Sequence, residues 1–182
     1  MGEKYSTMKM KETKSNPEVS EMILKNGVTG FYSDEPVSRE NEVDGKEFKA
    51  ICYSLERNMH AKLIEFNEPG ITPNFYHAKF DYQRKEVHVL LNNAYPFVAF
   101  ASKVEYFAIS FIDLPAFADC LTKKNPHYRV LKTEELEESV SIDTRTHAIR
   151  NENNLNKQEL EQLFYWRNSV NTVGNVIYNY WD

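Results

Sequence analysis

The stretch from Asn74 to Asp113 constrains this chain more than any other, because it holds three apolar runs in quick succession. Residues 75–91 read FYHAKFDYQRKEVHVLL, residues 97–102 read FVAFAS, and residues 104–112 read VEYFAISFI. Aromatic and β-branched side chains dominate each run and polar residues separate them, which is the pattern of a small antiparallel meander. In the first run Tyr76, Ala78, Phe80 and Tyr82 alternate with polar residues, and Val87, Val89 and Leu91 alternate in the return. A two-residue loop at Gln83-Arg84 pairs Phe80 with Val87, Ala78 with Val89 and Tyr76 with Leu91, all on one face. A shift of one residue would set Phe80 against His88 and spoil that face. Gln-Arg is not a favoured pair for a type I′ turn, so a wider loop is the alternative. The runs 97–102 and 104–112 predict central strands covered on both sides.

Outside this stretch the apolar residues fall at helical spacing. Asn16-Pro17-Glu18 is a helix start and Asn26-Gly27 a left-handed stop. Residues 27–46, with Gly27, Gly30, Pro36 and Gly45 among many charges, predict a long loop. Phe48, Ile51, Cys52 and Leu55 recur at helical intervals and predict an amphipathic helix over 47–59. Residues 62–67 read as a first strand, and Asp113-Leu114-Pro115 opens a helix that ends at Lys123-Lys124 before Pro126. Residues 128–131 are a further short strand candidate, and Thr133 caps a short acidic helix. Near the end, Asn156 and Glu159 form a capping box flanked by Leu155 and Leu160. Thr172 then caps a last helix with Val173, Val176, Ile177, Tyr180 and Trp181 on one side and Tyr178 on another. The fold expected is α+β: a flexible N-terminus over 1–15, then a single domain over 16–182. Its small, mainly antiparallel sheet has about 4–5 strands over 62–112, with 128–131 as a possible addition, packed by N-terminal and C-terminal helices.

A chain of 182 residues is long enough for one hydrophobic core without staples. Cys52 and Cys120 are its two cysteines, too few for a disulfide framework or a cysteine-based zinc site, and both read as small hydrophobes. The start of the chain carries no apolar core of a signal peptide, and no run of about 18 apolar residues occurs, so a cytoplasmic location is expected. The net charge of −5 is concentrated: residues 133–161 hold three Lys/Arg against eight Asp/Glu. Such a segment disfavours nucleic acid as a partner, which requires clustered cations, and suits a basic protein.

The candidate chemistry is thin. His77 and His88 share the polar hairpin face with Lys79, Asp81 and Glu86, but Lys79 opposite His88 opposes a metal ion, so no metal is expected and both rings should face solvent. Asp143, Arg145 and His147 supply an orienter, an anion clamp and a base for catalysis, yet no nucleophile motif accompanies them. No Walker A, GxGxxG or GxSxG sequence occurs, and no cofactor is expected. By contrast, aromatics are abundant at Phe164-Tyr165-Trp166 and Tyr178-Asn179-Tyr180-Trp181, the residue types that anchor interfaces. Tyr165, Trp166 and Tyr178, with Glu134, Glu135, Glu137 and Glu138, are the expected partner contacts. The ending YWRNSVNTVGNVIYNYWD resembles the ends of small cytosolic proteins of low-GC Gram-positive bacteria, which implies a bacterial source and carries no activity with it. The function expected is protein binding, in the manner of an immunity or antitoxin-like inhibitor of a basic toxin or nuclease. An enzyme built around Asp143, Arg145 and His147 and a structural homo-oligomer are the alternatives.

Overall fold

The computed structural model describes residues 23–31 and 43–181. Five strands form an antiparallel meander in chain order: β1 (Lys62–Asn67), β2 (Phe75–Tyr82), β3 (Lys85–Asn92), β4 (Phe97–Glu105) and β5 (Ala108–Ile112). A sixth, β6 (Arg129–Val130), lies parallel to the start of β4, pairing Phe97 with Arg129 and Val98 with Val130. The helices are α1 (Gly45–Met59), α2 (Pro115–Lys124), α3 (Thr133–Leu136), α4 (Lys157–Tyr165) and α5 (Val173–Ile177). The chain is thus a single α+β domain with a mainly antiparallel sheet, as its apolar pattern predicts.

The period-two pattern of the hairpin sets its register. Phe80 pairs with Val87, Ala78 with Val89 and Tyr76 with Leu91. The loop is the tight two-residue one, with Gln83 and Arg84 both left-handed at φ of 52° and 63°. The strand pairing therefore overrides a poor turn sequence, at a conformational cost that glycine or asparagine would reduce. Ala78, Phe80, Val89, Leu91, Val98 and Phe100 share one apolar layer with Phe48, Ile51, Cys52 and Leu55 of α1 and Phe117 and Leu121 of α2. Phe75, Leu90, Phe97, Ala99 and Phe111 share a second layer with Leu163 of α4 and Val173, Val176 and Ile177 of α5.

Three local expectations change. Residues 104–112 are not one central strand: β4 continues through Lys103 to Glu105, and the chain reverses at Tyr106-Phe107, where Phe107 has φ of 59°. The reversal is hidden in the sequence because the turn residues are aromatic, held by packing against each other and Tyr180. As a result β5 lies at the sheet edge, with Ala108 and Ser110 exposed. The last helix stops at Ile177, so Tyr178 leaves the helical wheel and turns inward to 1% exposure, its hydroxyl donating to the Phe97 carbonyl at 3.0 Å. The expected helix from Asn16 lies outside the described residues as far as residue 22. Its expected end is not helical: Leu24 bridges to Asn153, and Gly27 and Gly30 turn with φ of 84° and 88°. Of the expected loop 27–46, residues 32–42 lie outside the described residues, as do the expected flexible residues 1–15.

The segment 23–31 is riveted to the domain by buried polar groups. Glu159 completes the capping box of α4, accepting the Asn156 amide at 2.9 Å, and also accepts Gly27 N, Thr29 N and Thr29 Oγ1. Beside it, Asn74 and Asn92 each donate to both the Val28 and the Ile177 carbonyls, while Asn179 donates to the Thr29 carbonyl. Every one of these buried side chains is satisfied, which is the condition for such a network to stabilise.

Candidate functional site

The two histidines of the hairpin meet. His77 Nε2 and His88 Nδ1 lie 2.8 Å apart, a hydrogen bond that requires at least one ring to be neutral. Contrary to the expectation of solvent-facing rings, His88 is only 5% exposed and His77 is half-buried. Packing explains the difference: Phe75 and Leu90 lie on the same sheet face, and Phe75 meets His77 edge-on. Burial first, and the neighbouring His88 and Lys79 after it, pull His77 down to about 4, against the opposing influence of Glu65. Burial likewise lowers His88, with Lys79 adding to it and Glu86 and Glu65 opposing. Lys79 is itself engaged by Glu86 at 2.7 Å. Among the described residues no three His, Cys, Asp or Glu side chains converge as a metal-ligand group.

Asp143, Arg145 and His147 sit in one turn without converging on a common point. Asp143 accepts the backbone amides of Arg145 and Thr146, bonds that hold its carboxyl below the usual range. His147 stacks flat on Phe164, ring centroids 3.6 Å apart, while the Arg167 guanidinium lies 4.3 Å from the same ring. The imidazole therefore holds the turn against α4. Arg145 is exposed.

The acidic segment divides once its partners are known. Glu159 is buried, Glu135 pairs with Arg129 at 2.6 Å, and Glu138 receives Asn151. Glu134 and Glu137 are exposed on α3 and just beyond it, and neither forms an ion pair among the described residues. The free acidity is smaller than the sequence count implies: Glu134 and Glu137 at α3 belong to it, as does the exposed Glu152.

The aromatic residues form the most distinctive surface. Tyr165 is 72% and Tyr106 59% exposed. Between them runs a continuous set of rings: Tyr165 on Trp166 at 5.2 Å, Trp166 on Phe107 at 5.2 Å, Phe107 on Tyr106 at 4.4 Å, and Tyr106 on Tyr180 at 5.0 Å. The β4–β5 turn, the end of α4 and the C-terminal tail each supply part of it. Tyr165 and Trp166 thus join this surface, whereas Tyr178 belongs to the core. Tyr106, Phe107 and Tyr180 complete it; Tyr106 and Phe107 carry the residue types of a strand and Tyr180 continues the stripe of a helix, so none of them signals a surface in the sequence.

At the opposite end of β5, Asp113 accepts the Thr133 amide at 2.9 Å, tying the strand to α3. A cleft of about 370 Å³ opens there beside α2, floored by Phe100, Leu114 and Ala118. A smaller cleft between α1 and α2 is bordered by Glu47, Ser54 and the half-buried Cys120. Cys52 is fully buried, and burial pushes its thiol up to about 12, so it is an inert core group at neutral pH. No helix among the described residues is long and apolar enough to cross a membrane. No family model, curated protein or solved structure matches this chain.

Proposed function

We propose that this protein is a non-enzymatic binding module that docks a basic protein along β5. The observation that carries the reading is the packed aromatic surface running from Tyr165 through Trp166 and Phe107 to Tyr106 and Tyr180. Exposed tyrosines held by neighbouring rings lose little conformational entropy on binding, and Tyr and Trp are the side chains that dominate binding energy at protein interfaces. The edge strand itself favours contact. Its sequence AISFI has no charge to discourage pairing, whereas the other edge, β1, carries Lys62, Glu65 and a bulge. Free carboxylates at α3 supply steering for a cationic partner. A basic toxin or nuclease neutralised by this module is the partner class that fits such a surface.

The test compares wild type with Tyr106→Ser/Tyr165→Ser and with Glu134→Lys/Glu137→Lys. Partners are captured from source-cell lysate at low and high salt, then purified and titrated calorimetrically. The tyrosine pair should lose about 100-fold in affinity, as expected for two anchoring aromatics. The charge-reversed pair should lose its salt dependence and associate more slowly. Equal binding by wild type and both variants, or no stoichiometric complex at all, overturns the reading.

A further inference from the structure

We propose that the cleft between the ends of β5 and β6 is the anchor pocket for an arginine side chain of the basic partner, an inference that rests on the binding function above. The cleft follows from the topology. Along one edge β4 pairs with β6 at Phe97 and Val98, and with β5 from Phe100 onward. The two strands run in opposite directions and converge on the same point, so the chain must leave the sheet there at both ends. The gap that results is about 370 Å³, within the range of small-ligand sites.

Its chemistry is that of a pocket for a long cation with an apolar stem. Phe100, Leu114, Pro115 and Ala118 supply an apolar floor and wall, and Asp113 and Asp119 stand on the rim. Neither carboxylate forms an ion pair among the described residues, and the one bond Asp113 accepts outside the rim is the Thr133 amide. An arginine lays its methylenes along apolar surface while its planar guanidinium offers several donors to carboxylates, a match that the single point charge of lysine does not make. The pocket lies at the other end of β5 from the aromatic surface, on the side of the sheet that α1 and α2 cover. Five residues of β5, about 17 Å of strand, separate it from the aromatic end, a span that one partner face of ordinary size covers. Among the described residues Lys132 is the one cation in the cleft lining and opposes the arginine, which gives the inference a sign.

The direct test is an amide-shift titration of the whole chain by NMR, using N-acetyl-arginine methylamide, the citrulline analogue as its neutral isostere, and inorganic phosphate. Arginine alone should shift amides between Asp113 and Asp119 and between Val130 and Lys132. Asp113→Asn/Asp119→Asn should weaken it by about tenfold and Lys132→Gln should tighten it severalfold, because charge-assisted bonds are roughly twice as strong as neutral ones. Equal shifts with citrulline, shifts of these amides by phosphate, or a Lys132→Gln variant that binds arginine less well overturns the inference. Its failure is separable from that of the binding function. A purified partner that binds wild type and the double asparagine variant equally removes the pocket and leaves the module; absence of any partner complex removes both.

Discussion

A hydrogen bond between two imidazoles makes protonation state a structural variable. In the folded chain His77 and His88 both titrate below the ordinary histidine value of 6.5, His77 near 4. The unfolded chain therefore binds protons first as the pH falls, and stability falls with it. The contribution of the pair is complete above about 6.5 and is lost progressively as the pH drops through the folded value near 4. Lys79 disfavours the charged rings while Glu65 and Glu86 favour them, so the net direction rests on burial. Urea midpoints measured across this window should decline for wild type and run flatter for His77→Asn; parallel profiles would refute the account. The pairing itself was only half legible. Alternation placed both rings on one face, but nothing local says that Phe75 and Leu90 bury that face. Glu159 shows the same limit. Its capping role is readable from Asn156 three residues before it, whereas its hold on Gly27, 132 residues away, is a tertiary fact.

Elements were legible where their periodicity was unbroken. The β2–β3 register agrees with the alternation, since a slip of one residue would set Phe80 against His88 and turn each apolar set to the wrong face. The β4–β5 turn was not legible, because Tyr106 and Phe107 look like strand residues and find their stabilisation in Tyr180, far along the chain. The end of α5 was hidden likewise: YNYW continues the apolar stripe of a helix, but the helix stops so that Tyr178 reaches the Phe97 carbonyl. α5 also owes its position to Gly174. A methyl there would overlap the Phe111 ring and meet the Leu136 carbonyl oxygen at 3.0 Å. Gly174→Ala should therefore destabilise the fold by about 2–3 kcal/mol through overpacking, despite the better helix propensity of alanine. Chemical denaturation reads this directly, and a stabilised variant would show that the α3–α5 contact yields more easily than its geometry implies.

On the scale of the whole molecule, the sheet divides its labours between two faces and one edge. α1 and α2 cover one face, α4 and α5 much of the other, and β5 remains an uncharged edge with aromatics at its start and carboxylates at its end. The charge count over 133–161 pointed towards α3, but only the structure separates the buried Glu159 and the paired Glu135 from the exposed Glu134 and Glu137. The asparagine network has a consequence for how the molecule opens. The Val28 and Ile177 carbonyls share the same two donors, Asn74 and Asn92, so releasing one strands amides that the other cannot satisfy alone. The segment 24–31 and the tail 177–181 should consequently come away from the sheet as one cooperative unit. Native-state hydrogen exchange should give the amides of Val28, Tyr178 and Asn179 a common opening free energy, and Asn92→Ala should lower all three together. Two regions near opposite ends of the described chain would then breathe with a single rhythm, as though they were one element that happens to be encoded in two places.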